Sequence, residues 1–152
     1  MLPESLRKDN FQMVEFYMQM LPPMTTYQQH KVAIVGGKPR FYEPNKVRAA
    51  RETYMRLLAK RKPDKPIEGP VRLTTKWLYP LTQKEEAAHI DWCWKVSKPD
   101  TDNMIKLLKD CMTKCGYWID DSQVVSEITE KFRTKDEPGI YIKIERLQDG
   151  VY

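Results

Sequence analysis

The stretch KPDTDNMIKLLKDCMTKCG, residues 98–116, contains the junction between a predicted strand and a predicted helix. Because Pro99 disfavours helical backbone at Lys98, we expect the strand before it to run up to Asp100. Apolar residues recur at helical spacing over 102–115, and Gly116 is typical of a helix C-terminus. The sequence therefore predicts a strand that leads into a helix whose first turn carries Asp100 and Asp102.

These two acids have competing interpretations. A carboxylate at a helix N-terminus can accept hydrogen bonds from free amides, but only one residue occupies the cap, and a second acid adds repulsion unless a cation compensates. Asp120 and Asp121 follow the helix, where turn chemistry is the simplest explanation. If the chain returns them to the first pair, the carboxylates form an oxygen-rich site of the kind that Mg²⁺ prefers. Lys106, on the helical face of Asp102, would either form an ion pair or face that site.

The regions around this junction predict an α+β fold. Alternating apolar residues indicate strands in 11–20, 71–79, 91–96, 122–132 and 139–147, and Gly36-Gly37 favours a hairpin turn. A helix of about 15 residues is expected from Asn45, and a short one after Thr82. The aromatic residues Trp77, Trp92 and Trp94 are expected in the core. We therefore predict a single domain over 11–149, preceded by an N-terminal extension over 1–10, with two main helices packed on a mixed or antiparallel sheet.

Basic charge is concentrated in one segment. The chain carries a net charge of +5, and the segment 38–65 holds ten basic residues against three acids, which leaves about −2 for the remainder. A polyanion such as nucleic acid is a natural partner for such a patch, although a solvated helix face is equally compatible with it.

Composition argues against several other classes. No apolar run approaches membrane-spanning length, and the first ten residues lack the apolar stretch of a secretory signal, so we expect a cytoplasmic protein. The three cysteines form no CxxC pair, and they are expected to be reduced and mostly buried.

The motif KPDTDNMIKLLKD, followed by GYWIDDSQV and a later Lys131, resembles the signature of the RusA family of Holliday junction resolvases. Members are small Mg²⁺-dependent endonucleases that are common in prophages. The resemblance covers roughly 11–147, more loosely in its first half. Where some relatives have an arginine-rich run before the first Asp, this chain has Lys95, Lys98 and Pro99.

The resemblance implies a function and a set of site residues. Asp100, Asp102 and Asp121 would hold Mg²⁺, with Mn²⁺ able to substitute, Asp120 would be a neighbouring acid, and Lys106 would be the catalytic lysine. A homodimer would nick opposed strands of a four-way junction and leave 5′-phosphate ends. The residues expected to hold DNA phosphates are Lys46, Arg48, Arg51, Arg56, Lys60, Lys62, Lys98 and Lys131.

Two alternatives remain at this point. The DTD motif also resembles the D-x-D of nucleotide-sugar transferases, but the chain lacks a nucleotide-binding βαβ pattern and is short for that class. A non-catalytic nucleic-acid-binding module, with the acids serving as helix caps, is the other possibility.

Overall fold

The computed structural model describes residues 12–24, 31–42 and 45–150, so the predicted extension over 1–10 lies outside the described residues. The strands are β1 (Met13–Gln19), β2 (Lys31–Val35), β3 (Lys38–Tyr42), β4 (Val71–Pro80), β5 (Trp92–Trp94), β6 (Val124–Thr134) and β7 (Gly139–Arg146). The helices are α1 (Asn45–Ala59), α2 (Gln83–Ala87) and α3 (Thr101–Cys115), and a 3₁₀ turn spans Asp121–Gln123.

Five of the strands form one mixed sheet in the order β1-β7-β4-β6-β5. The β4–β6 pair is parallel, whereas the β1–β7, β4–β7 and β5–β6 pairs are antiparallel. Strands β2 and β3 form a separate hairpin, which Gly36 and Gly37 turn with φ angles of 59° and 75°. Glycine adopts these left-handed angles without the steric cost of a side chain. The predictions of an α+β domain, a mixed sheet and a hairpin at this pair are confirmed.

The core lies between one face of the sheet and the helices α1 and α3. Alternate residues of β4 and β7 are buried on this face, among them Trp77 and Ile142, together with Tyr54 of α1 and Leu108 of α3. The ring of Tyr54 meets that of Trp77 edge-on, with centroids 6.4 Å apart. Each large apolar side chain buried here contributes about 1.5–3 kcal/mol before the entropy of ordering is counted. The core position predicted for Trp77 is confirmed.

The same prediction is wrong for the other two tryptophans. The relative exposure of Trp92 is 55% and that of Trp94 is 54%. Trp94 pairs with Phe132 across β5 and β6, and their rings stack with centroids 4.5 Å apart. Strand alternation predicts that these side chains share a face, but it does not say which face the helices cover. They lie on the open face, where they form an aromatic cluster.

Strand β5 is shorter than predicted. It ends at Trp94, and one further ladder bond follows, from the amide of Lys95 to the carbonyl of Lys131 at 3.0 Å. The chain then leaves the sheet and reaches α3 through residues 96–99, so the expected strand up to Asp100 is wrong. The reason lies in two lysine side chains that bind this segment, as described below.

The predictions for the helix ends are confirmed. The capping box of Thr82 and Glu85 is formed at α2, and α3 begins within one residue of its predicted start. Gly116 ends α3 in the left-handed region, with φ of 90°. Across the described ranges, no helix is both long and apolar enough to cross a membrane.

Candidate active site

The acidic pair lies at the head of α3 with both side chains exposed. Asp100 occupies the N-cap position with extended backbone, φ −72° and ψ 146°, but its carboxylate makes no capping hydrogen bond. Its contribution to the helix comes from its backbone carbonyl, which accepts from the amide of Met104 at 3.0 Å. Asp102 lies in the first turn. Neither carboxylate therefore caps the helix, and the interpretation of the pair as helix caps loses its main support.

The segment before Asp100 is held by two lysines. Lys131 of β6 donates from Nζ to the carbonyl oxygens of Ser97 and Pro99, at 2.6 Å each. Lys95 is buried, and its Nζ donates to Ser97 Oγ at 2.7 Å and to the carbonyl oxygen of Lys98. The Lys98–Pro99 peptide bond in this segment is cis. The backbone that leads into the acidic pair is thus tied directly to the sheet.

The two acids of the second pair differ in their hydrogen bonding. The carboxylate of Asp120 accepts from the amide of Ser122 at 2.8 Å, and Gln123 Oε1 accepts from the amide of Asp120 at 3.1 Å. The hydrogen bond from the Ser122 backbone is the main reason that the pKa of Asp120 lies below its usual range. The carboxylate of Asp120 therefore stabilises the turn, as the sequence suggested. Asp121 begins the 3₁₀ turn with an exposed side chain.

The two acid pairs lie at opposite ends of α3. The helix runs antiparallel to β6: Lys131 contacts the segment before Asp100, Lys109 pairs with Glu127 at 2.8 Å in the middle, and Asp121 precedes the start of β6. From Asp102 to Cys115 the helix rises about 20 Å. Along β6, Val124 to Lys131 spans roughly 23 Å by strand geometry.

Within a single chain, Asp121 therefore stays apart from the acidic pair, so the convergence that the sequence left open does not form there. In agreement, the described part of the chain contains no group of three or more His, Cys, Asp or Glu side chains that could hold a metal ion. The sequence reasoning required a reversal followed by a strand that returned the acids. The reversal is present, but Asp120 and Asp121 precede the returning strand and stay at the far end.

The acidic pair alone still suits a hard cation. Mg²⁺ is usually bound through one or two carboxylates, with water and substrate phosphate as its other ligands. Asp100 supplies an exposed carboxylate from the N-cap and Asp102 another from the first turn, and the neighbouring Asn103 carries a buried Oδ1 without a hydrogen-bond partner among the described residues. Lys106 is exposed one helical turn after Asp102, on the same face. The donor set therefore fits Mg²⁺.

Most of the predicted DNA-binding residues are exposed, and two are engaged elsewhere. Arg51 is ion-paired with Asp110 at 2.5 Å, which joins α1 to α3, and Lys131 binds backbone carbonyls. Those with exposed side chains are Lys46, Arg48, Arg56, Lys60, Lys62 and Lys98.

The basic helix α1 runs in the same direction as α3. Arg51 contacts Asp110, whereas further along both helices Tyr117, just beyond α3, donates from its hydroxyl to the carbonyl of Leu58 at 2.7 Å. The start of α1, with Lys46, therefore lies toward the head of α3, and its end lies toward Asp121. Basic side chains thus extend between the two acid pairs.

Comparison with known proteins identifies the family of the chain. The family model described as endodeoxyribonuclease RusA matches residues 21–145. The chain is 38% identical over 115 residues to a crossover junction endodeoxyribonuclease rusA of Lactococcus phage r1t, covering 73% of this chain and 80% of the relative. It is 29% identical over 122 residues to the uncharacterized protein YqaN of Bacillus subtilis (strain 168), covering 76% of this chain and 84% of that protein.

The chain is therefore an endodeoxyribonuclease, a hydrolase that acts on DNA. It belongs to the RusA family, and the family expected from the acidic motif is confirmed.

Sequence reasoning missed one residue of this region, Lys95. It appeared only as a basic residue before the motif, whereas the structure buries it at 3% exposure beneath the segment that precedes Asp100. The sequence carried no signal for this, because alternation places Lys95 on the face opposite Trp94, and the tryptophans were themselves expected on the covered face.

Proposed function

We propose that this endonuclease is structure-selective and Mg²⁺-dependent, and that it resolves four-way DNA junctions by paired nicks as a homodimer. The junction as substrate is suggested by the printed name of the Lactococcus phage relative. The observation that carries the proposal is the exposed pair Asp100 and Asp102, which helix capping leaves free. Its working compartment would be the cytoplasm.

Three acids and one lysine have proposed roles. Asp100, Asp102 and Asp121 would hold the metal, and Asp120, already used by its own turn, has a weaker claim. A bound Mg²⁺, or Mn²⁺ in its place, would lower the pKa of a bound water and would neutralise charge on the phosphate oxygens. Lys106 would place an ammonium beside the scissile phosphate and stabilise the charge that develops there.

The reaction is hydrolysis of one phosphodiester in each of two strands. Water oxygen forms a bond to phosphorus, the bond from phosphorus to the 3′ oxygen breaks, and a proton ends on that oxygen. The products are a 5′-phosphate and a 3′-hydroxyl, which a ligase can rejoin. The exposed basic residues of α1 would hold backbone phosphates on either side without reading sequence.

The position of Asp121 gives the homodimer a specific role. Asp121 follows the far end of α3, and the helix rises about 20 Å from Asp102 to that end. Both acids can therefore serve one metal site only if they come from different chains. Exposed apolar residues accompany the acids at both ends: Ile119 and Val125 beside Asp121, at 70% and 62% exposure, and Val96 before Asp100, at 96%. Two copies packed antiparallel about a twofold axis, with the head of α3 in each against the Asp121 end of the other, would cover apolar surface and complete two equivalent sites.

Cleavage by an Asp102→Asn variant tests the proposed function. The wild type should nick a mobile four-way junction in Mg²⁺ and leave a linear duplex of the same sequence largely intact. Addition of EDTA should abolish the nicking. Asp102→Asn should bind the junction with the affinity of the wild type and lose nicking by at least about a hundredfold. Thr101→Ala, which changes the exposed neighbour of Asp102, is the matched control and should remain active.

A non-catalytic binding module is the alternative that the sequence left open. Membership in an endodeoxyribonuclease family and the uncapped carboxylate of Asp100 both weigh against it. Wild-type protein that binds junctions tightly and nicks neither junction nor duplex in Mg²⁺ or Mn²⁺ would favour the module.

A further inference from the structure

Lys95 and Lys131 face each other across the β5–β6 pair. The register in which Trp94 opposes Phe132 continues by one residue, and the amide of Lys95 donates to the carbonyl of Lys131 at 3.0 Å. Their side chains therefore emerge on the same face, opposite to the aromatic cluster. Two like charges placed directly opposite in an antiparallel pair destabilise a sheet. A compensating group is required, and within the described ranges no carboxylate forms a salt bridge with either lysine.

The compensation comes from one short segment of backbone. Lys131 binds the carbonyl oxygens of Ser97 and Pro99, and Lys95 binds the carbonyl oxygen of Lys98 and the hydroxyl of Ser97. Three successive carbonyls are thus held by two ammonium groups. Burial lowers the pKa of Lys95, the nearby Arg133 and Lys131 lower it further, and the charge of Glu85 acts in the opposite direction. The ring of Tyr79, 5.1 Å from Lys95 Nζ, adds a favourable cation–π contact.

The segment 97–99 leads directly into Asp100, whose orientation decides whether its carboxylate can reach a metal ion. Pro99 is joined directly to Asp100, and the Asp100 carboxylate has no capping hydrogen bond that would fix it to the helix. The path of the backbone through 97–99 therefore sets the direction in which Asp100 leaves the chain. Asp102 follows in the first turn of α3, so the same path sets the start of that turn.

We propose that Lys95 and Lys131 are positioning residues, which hold the carbonyls of 97–99 and thereby aim Asp100 and Asp102 at the metal and the substrate. The proposal rests on the proposed function of the acidic pair. It also gives Lys131 a different role from the phosphate contact expected from sequence, because two of its three N–H groups are already used on backbone oxygens.

Mn²⁺ binding to the full chain, measured by titration calorimetry, tests the proposal without relying on cleavage. Lys131→Met and Lys95→Met should each weaken Mn²⁺ binding by about tenfold or more, the usual effect of removing a group that orients metal ligands. The turnover number for junction nicking should fall by a similar factor at unchanged KM. Lys143→Met is the matched control, because this lysine lies on β7 near Glu145, away from the segment, and should change neither quantity.

Two outcomes would overturn the proposal. In the first, Lys131→Met binds Mn²⁺ as tightly as the wild type, but the slope of log junction affinity against log salt concentration falls by about one unit. Such a change in slope marks the loss of one phosphate contact. The other is wild-type Mn²⁺ affinity in Lys95→Met, whose lysine is too deeply buried to contact DNA. If the unmodified chain neither binds Mn²⁺ nor nicks junctions, the proposed function itself fails, and the two failures are thereby distinguished.

Discussion

Mixing two inactive variants should restore cleavage if the metal site is shared between chains. One chain carries Asp102→Asn and the other Asp121→Asn. In a dimer of the two, one site receives both substitutions, whereas the other receives intact Asp102 from one chain and intact Asp121 from its partner. Each variant alone should be inactive, because both of its sites lack one acid.

The expected magnitude follows from the geometry of α3. Mg²⁺ binds oxygen at about 2.0–2.1 Å, so two carboxylates on one ion require oxygens within roughly 4 Å of each other. The rise from Asp102 to the end of α3 is about 20 Å, far more than side-chain rotation can close. With random assortment, half of the dimers are mixed and each has one intact site, so about one quarter of wild-type sites should recover.

The assay is single-turnover cleavage of a junction labelled on two opposed strands. The mixture, prepared by unfolding and refolding the variants together, should nick one labelled strand per complex and seldom both. A mixture of Asp102→Asn with the double variant Asp102→Asn/Asp121→Asn is the control and should stay inactive. Inactivity of the first mixture, with mixed dimers demonstrated by two affinity tags, would refute a site shared between chains.

The remaining predictions concern other parts of the chain. Leu108→Ala, at a fully buried position, should lower the free energy of unfolding by about 2–5 kcal/mol in urea, whereas Lys106→Met should leave it unchanged and reduce nicking. Arg51→Met should destabilise the protein by up to about 1 kcal/mol at pH 7, measured by the same urea titration. Burial would raise the pKa of Asp110, but hydrogen bonds from Arg51 and Lys114 offset this and lower it, so the Arg51 contribution should be fully present above the usual pKa of an Asp and be lost as the pH falls through the lowered pKa of Asp110 in the folded protein. Burial raises the pKa of the Cys111 thiol to about 11, so a thiol reagent at pH 8 should leave it unmodified until urea unfolds the chain.

Three of these predictions have a result that would contradict the structure as described. Equal stability of Leu108→Ala and the wild type would mean that α3 does not pack on the sheet as described. A stability difference for Arg51→Met that persists after Asp110 is protonated in the folded protein would show that its origin is packing of the guanidinium rather than its charge. Rapid labelling of Cys111 in the folded protein would show that α3 opens under native conditions.

Elements set by neighbouring residues were predictable from the sequence. The Gly36-Gly37 turn, the capping box at Thr82 and the end of α3 at Gly116 depend on backbone angles and on hydrogen bonds between residues close along the chain. The acidic motif and the family were likewise recognisable from residue types and spacing alone. Local chemistry determines these features, so no knowledge of the tertiary structure was needed.

The exposure of Trp92 and Trp94 required the tertiary structure. Alternation assigns side chains of a strand to two faces, but the choice of the covered face depends on where α1 and α3 pack. The same limit applies to Lys131, whose partners lie more than thirty residues earlier in the chain.

The sequence by itself determined which acids this endonuclease has and that the first pair begins a helix. Only the tertiary structure decided where the second pair lies, because α3 is rigid over its fifteen residues and carries Asp121 to the end away from Asp102. A spacing along the chain fixes a distance only when the structure between two residues is known. That structure is a helix here, and its length places the two acid pairs at opposite ends of the domain.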